Sequence, residues 1–315
     1  MTKYLFLLLA FSLLASAETT TRIKVLMGTF VTISIDSTDK KYIENGFNII
    51  SEVESSISSY DKQSQIYRLN RDKKSRINAT VYEALSLSKE YYEKSDGYFD
   101  ITIGAITKDL YRFGEEERVA SSRELKNAVV DFNGLSFNKN EAQLQKNMKI
   151  DLGGMGKGFG VDKAADYFRK KKLDNVTIAA SGDIRCLGVC HIEVQNPFSN
   201  GFLAAFDTLK LDSGVSTSGN YNRYVKSVKN NHLINPKSKA SQDKFISITL
   251  ISNMPNSDLD AYATAASVMP TKKAYEFLDT LDLAYIILQS DMKLVMSQNI
   301  FKFINNLLIN NTPKK

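Results

Sequence analysis

The stretch Asp151-Leu-Gly-Gly-Met-Gly-Lys-Gly-Phe-Gly-Val-Asp162 contains five glycines and one lysine. Apolar and polar residues alternate over positions 148–152 just before it, a pattern that predicts a short β-strand. Four apolar residues after it recur at the spacing of one helix face: Val161, Ala164, Ala165 and Phe168. The sequence therefore predicts a strand, a glycine-rich turn and an amphipathic helix, and the rest of the chain can be placed around this unit.

Glycines at the start of a helix favour contact between the backbone and a bound anion. Glycine tolerates positive φ and close approach, the free N–H groups of a helix start attract negative charge, and Lys157 would add a positive charge. Two common phosphate loops are excluded. Phe159 and Val161 occupy positions where the dinucleotide fingerprint requires glycine, and Gly158 follows the lysine where a Walker loop has Ser or Thr. A turn in which glycine only permits close packing stays open as an alternative.

The N-terminus has the layout of a secretory signal peptide. An apolar run over residues 4–14 follows Lys3, and Ala15-Ser-Ala17 provides a small-residue cleavage site. We therefore expect residues 1–17 to be removed and residues 18–315 to form an exported, periplasmic protein. No other segment approaches the length and apolar character of a membrane-spanning helix, so the mature protein is not expected to span the membrane.

Composition excludes several classes of protein. The net charge of +6 is spread along the chain of 315 residues and does not indicate nucleic-acid binding, and two histidines leave little room for a His-rich metal site. The two cysteines, Cys186 and Cys190, flank Leu-Gly-Val at what we predict to be a hairpin tip. In an oxidising compartment they could pair across it.

The glycine-rich stretch is similar to the D-x-G-[GA]-x-[AG]-K-G-[YF]-x-V-D signature of the ApbE family, the FAD:protein FMN transferases. Six further segments resemble elements of that family in the same order. They are Met27-Gly-Thr29 in a strand predicted over residues 23–35, Ser58 to Asn70, Gly97-Tyr-Phe-Asp-Ile-Thr-Ile-Gly104, Thr217-Ser-Gly-Asn-Tyr221 followed by His232-Leu-Ile-Asn-Pro236, and Asp260-Ala-Tyr-Ala-Thr264. The sequence departs from the family pattern at Ala179, Ser181, Asn235, Ser238 and Lys239.

The resemblance implies an α+β, T-fold-related single domain of two closely packed lobes. It also implies a Mg²⁺-dependent transferase that moves FMN from FAD onto a Thr or Ser of an exported or membrane flavoprotein, with release of AMP. The acceptor would carry a D-x-[ST]-G-A-[ST] motif, which this chain itself lacks. The alternatives are an FAD pyrophosphatase, a non-catalytic periplasmic flavin-binding protein, and a carbohydrate- or peptide-binding module for which no aromatic platform is evident.

The family motifs also imply roles for individual residues. His232 would be the catalytic group, because a neutral imidazole can take a hydroxyl proton. Eight residues would bind FAD: Met27, Tyr60, Tyr98, Phe99, Asp100, Asp151, Lys157 and Leu233. Three would bind the metal: Gly154 through its carbonyl, Asp260 and Thr264. The last two lie at i and i+4 on a predicted helix, where two oxygen ligands suit Mg²⁺; a capping Asp260 with a core-facing Thr264 is the alternative.

Overall fold

The computed structural model describes residues 18–310, so the signal peptide predicted for residues 1–17 lies outside the described residues. The α+β class is confirmed, because the helices pack on sheets made only of antiparallel strand pairs. The helices are α1 (Ile43–Ile57), α2 (Gln65–Asp72), α3 (Ala79–Lys94), α4 (Gly104–Thr107), α5 (Ser122–Asn127), α6 (Gly156–Lys170), α7 (Asn256–Val268) and α8 (Thr271–Asp279).

The strands form one sheet of eight strands and two sheets of three strands. In chain order they are β1 (Thr19–Leu26), β2 (Thr29–Asp36), β3 (Lys74–Arg76), β4 (Leu135–Phe137), β5 (Glu141–Leu144), β6 (Thr177–Ala180), β7 (Asp183–Cys186), β8 (His191–Gln195), β9 (Phe202–Thr208), β10 (Ser213–Gly219), β11 (Phe245–Ser252), β12 (Ala284–Gln289), β13 (Leu294–Met296) and β14 (Ile304–Ile309). The large sheet has the order β1-β2-β6-β7-β10-β11-β12-β13, and the small sheets have the orders β14-β9-β8 and β3-β5-β4.

The first strand prediction was wrong in one respect. Residues 23–35 do not form a single strand but a hairpin of β1 and β2, in which Leu26 pairs with Thr29 around a two-residue turn. Both turn residues have positive φ, 54° at Met27 and 70° at Gly28, which is the backbone of a tight hairpin turn that matches the twist of its strands. The turn places Met27 at the end of the hairpin instead of in the middle of a strand.

The helix after the glycine-rich stretch is confirmed as α6, and its apolar face is buried. Phe168 and Val161 pack with Phe47 and Ile50 of α1 and with Ile33 of β2 in one of the apolar clusters of the core. The strand expected over residues 148–152 is wrong, because only Lys149 makes an isolated bridge, to Ile103. An extended segment, instead of a strand, therefore leads into the glycines.

The cysteine hairpin was also predicted incorrectly. Cys186 and Cys190 do form a disulfide, but β7 pairs with β6 and β10 in the large sheet while β8 pairs with β9 in a small one. The disulfide therefore closes the connection between two sheets. Near the C-terminus, β12 and β13 form an antiparallel hairpin in which Ile287 pairs with Val295. Among the helices of residues 18–310, none has the length and apolar character of a membrane span.

Candidate active site

All twelve residues that the sequence singled out line one cavity of about 640 Å³. They come from the β1–β2 turn, the segments after α1 and α3, the start of α6, the segment between β10 and β11, and α7. A volume of this size is typical of sites for small molecules and cofactors. The structure thus brings together residues from distant parts of the sequence, although their individual roles remain predictions.

The glycines of the α6 start serve two purposes. Gly153 and Gly154 line the cavity, and the Gly153 amide donates to Asp151 Oδ1 at 3.0 Å. Gly158 instead packs against α7, where a Cβ atom would lie 2.2 Å from the backbone oxygen of Asn256. Close packing therefore explains Gly158, while contact of Gly153 and Gly154 with an anion stays a prediction.

Lys157 is shared by two carboxylates. Its Nζ atom lies 3.0 Å from Asp183 Oδ2 and 3.1 Å from Asp260 Oδ2. Burial alone lowers the pKa of the Lys157 ammonium, but the charges of the two carboxylates raise it above its usual value. Burial and the neighbouring Asp260 charge raise the pKa of Asp183 to about 7. We expected the charge of Lys157 to be free for a diphosphate, whereas here it is offset within the protein.

Two of the three residues predicted to bind a metal, Gly154 and Thr264, present oxygen atoms close together, and the third, Asp260, lies on the same helix as Thr264. Thr264 Oγ1 lies 3.3 Å from the Gly154 carbonyl oxygen and 3.4 Å from Ser218 Oγ, and Asp260 precedes Thr264 by one helical turn. Mg²⁺ prefers oxygen ligands, and the Gly154 carbonyl, the Thr264 hydroxyl and the Asp260 carboxylate are all of this kind. The three groups therefore fit the ion chemically. Asp260 is not the helix cap, since Pro255 occupies that position. No cluster of three or more His, Cys, Asp or Glu side chains suited to a metal occurs within residues 18–310.

His232 has one ring nitrogen fixed by the backbone. Its Nδ1 atom lies 3.1 Å from the carbonyl oxygen of Arg223, an acceptor, so Nδ1 carries the proton and Nε2 is the basic nitrogen. Nε2 has no hydrogen-bond partner within residues 18–310. Burial, and next the positive charge of Arg223, lower the pKa of His232 to about 4. The imidazole is therefore neutral at physiological pH, with Nε2 unprotonated.

Asp151 is held by partners on both of its carboxylate oxygens. Thr107 Oγ1 donates to Asp151 Oδ2 at 2.7 Å, and Lys108 Nζ lies 3.5 Å from the same oxygen. Burial raises the pKa of Asp151, but the charges of Lys108 and Arg223 and the hydrogen bonds from Thr107 and Gly153 together outweigh it, and the net pKa is below the usual range. Asp151 is thus an ionised group at the cavity wall, as a ligand for a sugar hydroxyl or ring N–H requires.

Two cations that sequence analysis missed surround Tyr60. Lys108 Nζ lies 3.4 Å from the centre of the Tyr60 ring, and Arg223 Nη2 donates to Tyr60 Oη at 2.6 Å. Both cations line the cavity. Lys108 has no motif around it that could have identified it, whereas Arg223 lies two residues after the Thr-Ser-Gly-x-Tyr motif. One ring face of Tyr60 is therefore covered, so a flavin stacked on Tyr60 must use the other face or displace Lys108.

Asp100 finds its hydrogen-bond donors within the protein. Thr102 donates to Asp100 Oδ1 through its backbone N–H at 2.8 Å and its hydroxyl at 2.7 Å. Burial raises the pKa of Asp100 to about 6, against the effect of these bonds. The two residues before Asp100 were also predicted to bind FAD. The Phe99 ring packs edge-on against Tyr91 in the core. The ammonium group of Lys237 lies 4.3 Å from the centre of the Tyr98 ring. Leu233 is buried at the cavity wall.

The departure at Asn235 has a structural explanation. Asn235 Nδ2 donates to the Val268 carbonyl at 2.7 Å, while its Oδ1 accepts from the backbone N–H of Lys237 at 2.8 Å. An ionised aspartate has no donor for the first of these bonds. Asn235 therefore joins the proline turn to the end of α7. Ser181, another departure, has φ of 56° in the turn between β6 and β7 and lines the cavity.

The fold and the site together define an α+β protein with a cavity that has acidic and basic walls and a neutral histidine. The family model described as the ApbE family matches residues 27–287, and this chain belongs to the ApbE family. The enzyme class expected from the sequence, a transferase, is thereby confirmed.

Individual proteins and structures agree with this assignment. The chain is 27% identical over 286 residues to the FAD:protein FMN transferase of Haemophilus influenzae, covering 82% of this chain and 81% of that protein. It is similar in fold to the flavin transferase ApbE from Vibrio cholerae, with a TM-score of 0.79, 21% identity, and coverage of 91% of this chain and 99% of that one. The ApbE protein from Thermotoga maritima gives a TM-score of 0.83 at 21% identity, over 92% and 100% of the two chains.

Proposed function

We propose that this protein is a Mg²⁺-dependent FAD:protein FMN transferase that acts outside the cytoplasm on a Thr or Ser of a flavoprotein. The observation that carries the proposal is the assembly of all twelve predicted residues around one cavity in a member of the ApbE family. The names of the sequence relatives support FAD as the substrate. Export and the periplasmic location rest on the signal-peptide pattern of residues 1–17.

The distribution of charge in the cavity supports binding of a nucleotide with a cation. Asp260 shares Lys157 with Asp183, and Asp260 and Thr264 present the oxygen ligands that a hard cation prefers. Lys108 and Arg223 with Asp151 carry an excess of one positive charge, which favours a diphosphate. When bound, a hard cation such as Mg²⁺ would neutralise charge that develops on phosphate oxygens.

The neutral imidazole supports a direct transfer to a hydroxyl group. The acceptor hydroxyl oxygen would bond to the flavin-side phosphorus of FAD while the bond from that phosphorus to the bridging oxygen breaks. AMP would leave with the bridging oxygen, and the hydroxyl proton would pass to Nε2 of His232. Such a transfer depends mainly on positioned charge, which this cavity provides.

The proposal is tested by incubating the protein with FAD and Mg²⁺, with and without a soluble domain that carries a D-x-[ST]-G-A-[ST] segment. We expect AMP release that depends on the acceptor, together with covalent flavin fluorescence on the acceptor in a denaturing gel. AMP release at the same rate without acceptor would indicate an FAD pyrophosphatase. A protein that retains bound FAD but releases no AMP would be a flavin carrier.

A further inference from the structure

The cavity extends to an unpaired strand edge. Four residues of β8, Ile192 to Gln195, line it together with Gly182 of the β6–β7 turn and Thr217 of β10. β8 is the terminal strand of the sheet β14-β9-β8, so only one of its two sides is paired. The wall of the candidate active site therefore includes an open β-edge, which is an unusual lining for a site that only binds a small molecule.

The direction of the free backbone groups follows from the register. The backbone N–H of Thr208 donates to the Cys190 carbonyl oxygen at 2.9 Å, so the peptide groups of Cys190 face β9. Peptide groups of a strand point to the same side at every second residue, so those of Ile192 and Val194 also face β9. The peptide groups of Glu193 face away from β9, as do those of the residues two positions before and after it. Within residues 18–310 these groups of Glu193 make no hydrogen bond to another strand or turn.

We propose that an extended segment of the acceptor protein docks on this edge as a fourth strand beside β8 and so delivers its Thr or Ser into the cavity. This inference rests on the proposed function, which requires a protein segment to enter the site. An unpaired edge offers alternating N–H and C=O groups that an extended peptide completes, with affinity from the main chain. β8 has five residues, and an extended peptide rises by the same distance of about 3.3 Å per residue, so β8 can pair with about five residues of the peptide. This length is close to that of the short acceptor motif.

Chemistry at the edge agrees with a peptide as the occupant. The Glu193 side chain is 62% exposed and its pairing with His191 is long, at 3.9 Å, so neither side chain blocks the edge. The side chains of Ile192 and Val194 pack into the core below, which holds β8 rigid. The disulfide between Cys186 and Cys190 ties the start of β8 to the large sheet.

The test compares two variants at one exposed position. Glu193→Ala removes the side chain but keeps the backbone N–H, whereas Glu193→Pro also removes the N–H that faces away from β9. We expect Glu193→Pro to raise KM for the soluble acceptor domain by about tenfold relative to Glu193→Ala, with the Kd for FAD unchanged. Ile309→Pro makes the same change at the opposite edge of the sheet, on β14, and should leave KM unchanged. Equal KM values for the two Glu193 variants would overturn the docking.

A second measurement keeps the protein intact in case Glu193→Pro does not fold. Two synthetic acceptor peptides carry N-methyl groups on alternate backbone amides, one set in each phase of the strand period. We expect one phase to lower kcat/KM by about tenfold or more and the other to have little effect. Equal effects of both phases, with normal transfer to the unmethylated peptide, would overturn the docking alone. Absence of transfer to any acceptor would overturn the proposed function, and the docking with it.

Discussion

The Nζ atom of Lys157 lies 3.1 Å from Asp260 Oδ2, and Asp183 shares the same ammonium group at 3.0 Å. The side chains of the two carboxylates are almost fully buried, at 1% exposed for Asp183 and 4% for Asp260. A buried carboxylate that loses its partner destabilises the fold strongly, because its charge is no longer compensated. Lys157 therefore has a structural role in addition to any contact with FAD.

Lys157→Met should lower the free energy of unfolding by about 3–5 kcal/mol, since it leaves two buried carboxylates without a cation. Adding Asp183→Asn should restore part of that loss, because it removes one uncompensated charge. Lys163→Met is the matched control on the same helix, because Lys163 pairs with Glu83 at the surface; its cost should stay below about 1 kcal/mol. Urea unfolding measures all three, and equal losses in the two lysine variants would contradict the structural role.

Asp260→Asn should weaken Mg²⁺ dependence and activity together while the fold persists. Lys157 keeps its pairing with Asp183 in this variant, so no charge is left uncompensated. Asp258→Asn is the control on the same helix, since Asp258 accepts from Tyr91 Oη at 2.7 Å and does not line the cavity. Calorimetric Mg²⁺ binding and a magnesium titration of activity both report the change. Wild-type behaviour of Asp260→Asn in both would show that the metal assignment is wrong.

His232→Ala should lower turnover by about 10²- to 10⁴-fold, the usual contribution of general acid–base assistance. FAD affinity should change little, because the ring contributes a proton acceptor to the reaction. His191→Ala is the control, since His191 is exposed and its Nδ1 atom lies 2.7 Å from Asp207 Oδ1 outside the cavity. Fluorescence quenching gives FAD affinity and gel fluorescence gives flavin transfer. Near-normal transfer by His232→Ala would exclude the histidine from the reaction.

The lowered pKa of His232 predicts a loss of stability in acid. The unfolded chain takes up this proton near pH 6.5 and the folded chain only near pH 4, so the unfolded state binds more protons in between. The stabilising effect of neutral His232 is thus present above about pH 6.5 and is lost as the pH falls toward 4. Asp100 and Asp183 act in the opposite direction, because their raised pKa values let the folded state bind protons that the unfolded state releases.

Comparison with His232→Gln isolates the histidine from these carboxylates. Between roughly pH 7 and pH 5, wild-type protein should lose about 2 kcal/mol more unfolding free energy than the variant. Urea unfolding at the two pH values gives the difference. An equal loss in both proteins would mean that His232 titrates in the folded state as it does in the unfolded chain.

The Cys186–Cys190 disulfide should be complete in protein purified from an oxidising compartment. It joins residues four positions apart, so its stabilising effect should be smaller than the roughly 3 kcal/mol of a loop of about 15 residues. Thiol labelling under denaturing conditions without reductant should detect no free thiol. Two reactive thiols in that experiment would contradict the pairing.

Local patterns predicted helices well. Apolar residues that recur at helical spacing lie on one face of the helix, so the sequence of that helix alone is enough to predict it. The residues of α6 are of this kind. The Met27-Gly28 turn was missed because it lacks the Asn-Gly or Asp-Gly pair that usually marks such turns. The pairing of β2 with β6 and of β14 with β9 depends on residues far apart in the sequence, which no local pattern reports.

The candidate site also combines residues that short sequence patterns predict with residues that only the fold brings together. Its predicted residues lie in short motifs with fixed spacing, so a family resemblance located all of them on the cavity wall. Lys108 and Arg223 are single cations without such a motif, and only the fold places them beside Tyr60. The contact of Lys157 with Asp183 and Asp260 joins three separate elements, and therefore could not be predicted from spacing alone.

The transfer of FMN is tested most directly by the intact mass of the acceptor. The acceptor domain is incubated with the protein, FAD and Mg²⁺, then denatured and measured by mass spectrometry, with a Thr→Ala acceptor as control. We predict that the acceptor gains the mass of one FMN less one water, that one AMP is released for each acceptor modified, and that the Thr→Ala acceptor gains nothing. An unmodified acceptor in the presence of bound FAD would contradict the assignment of this protein as an FMN transferase.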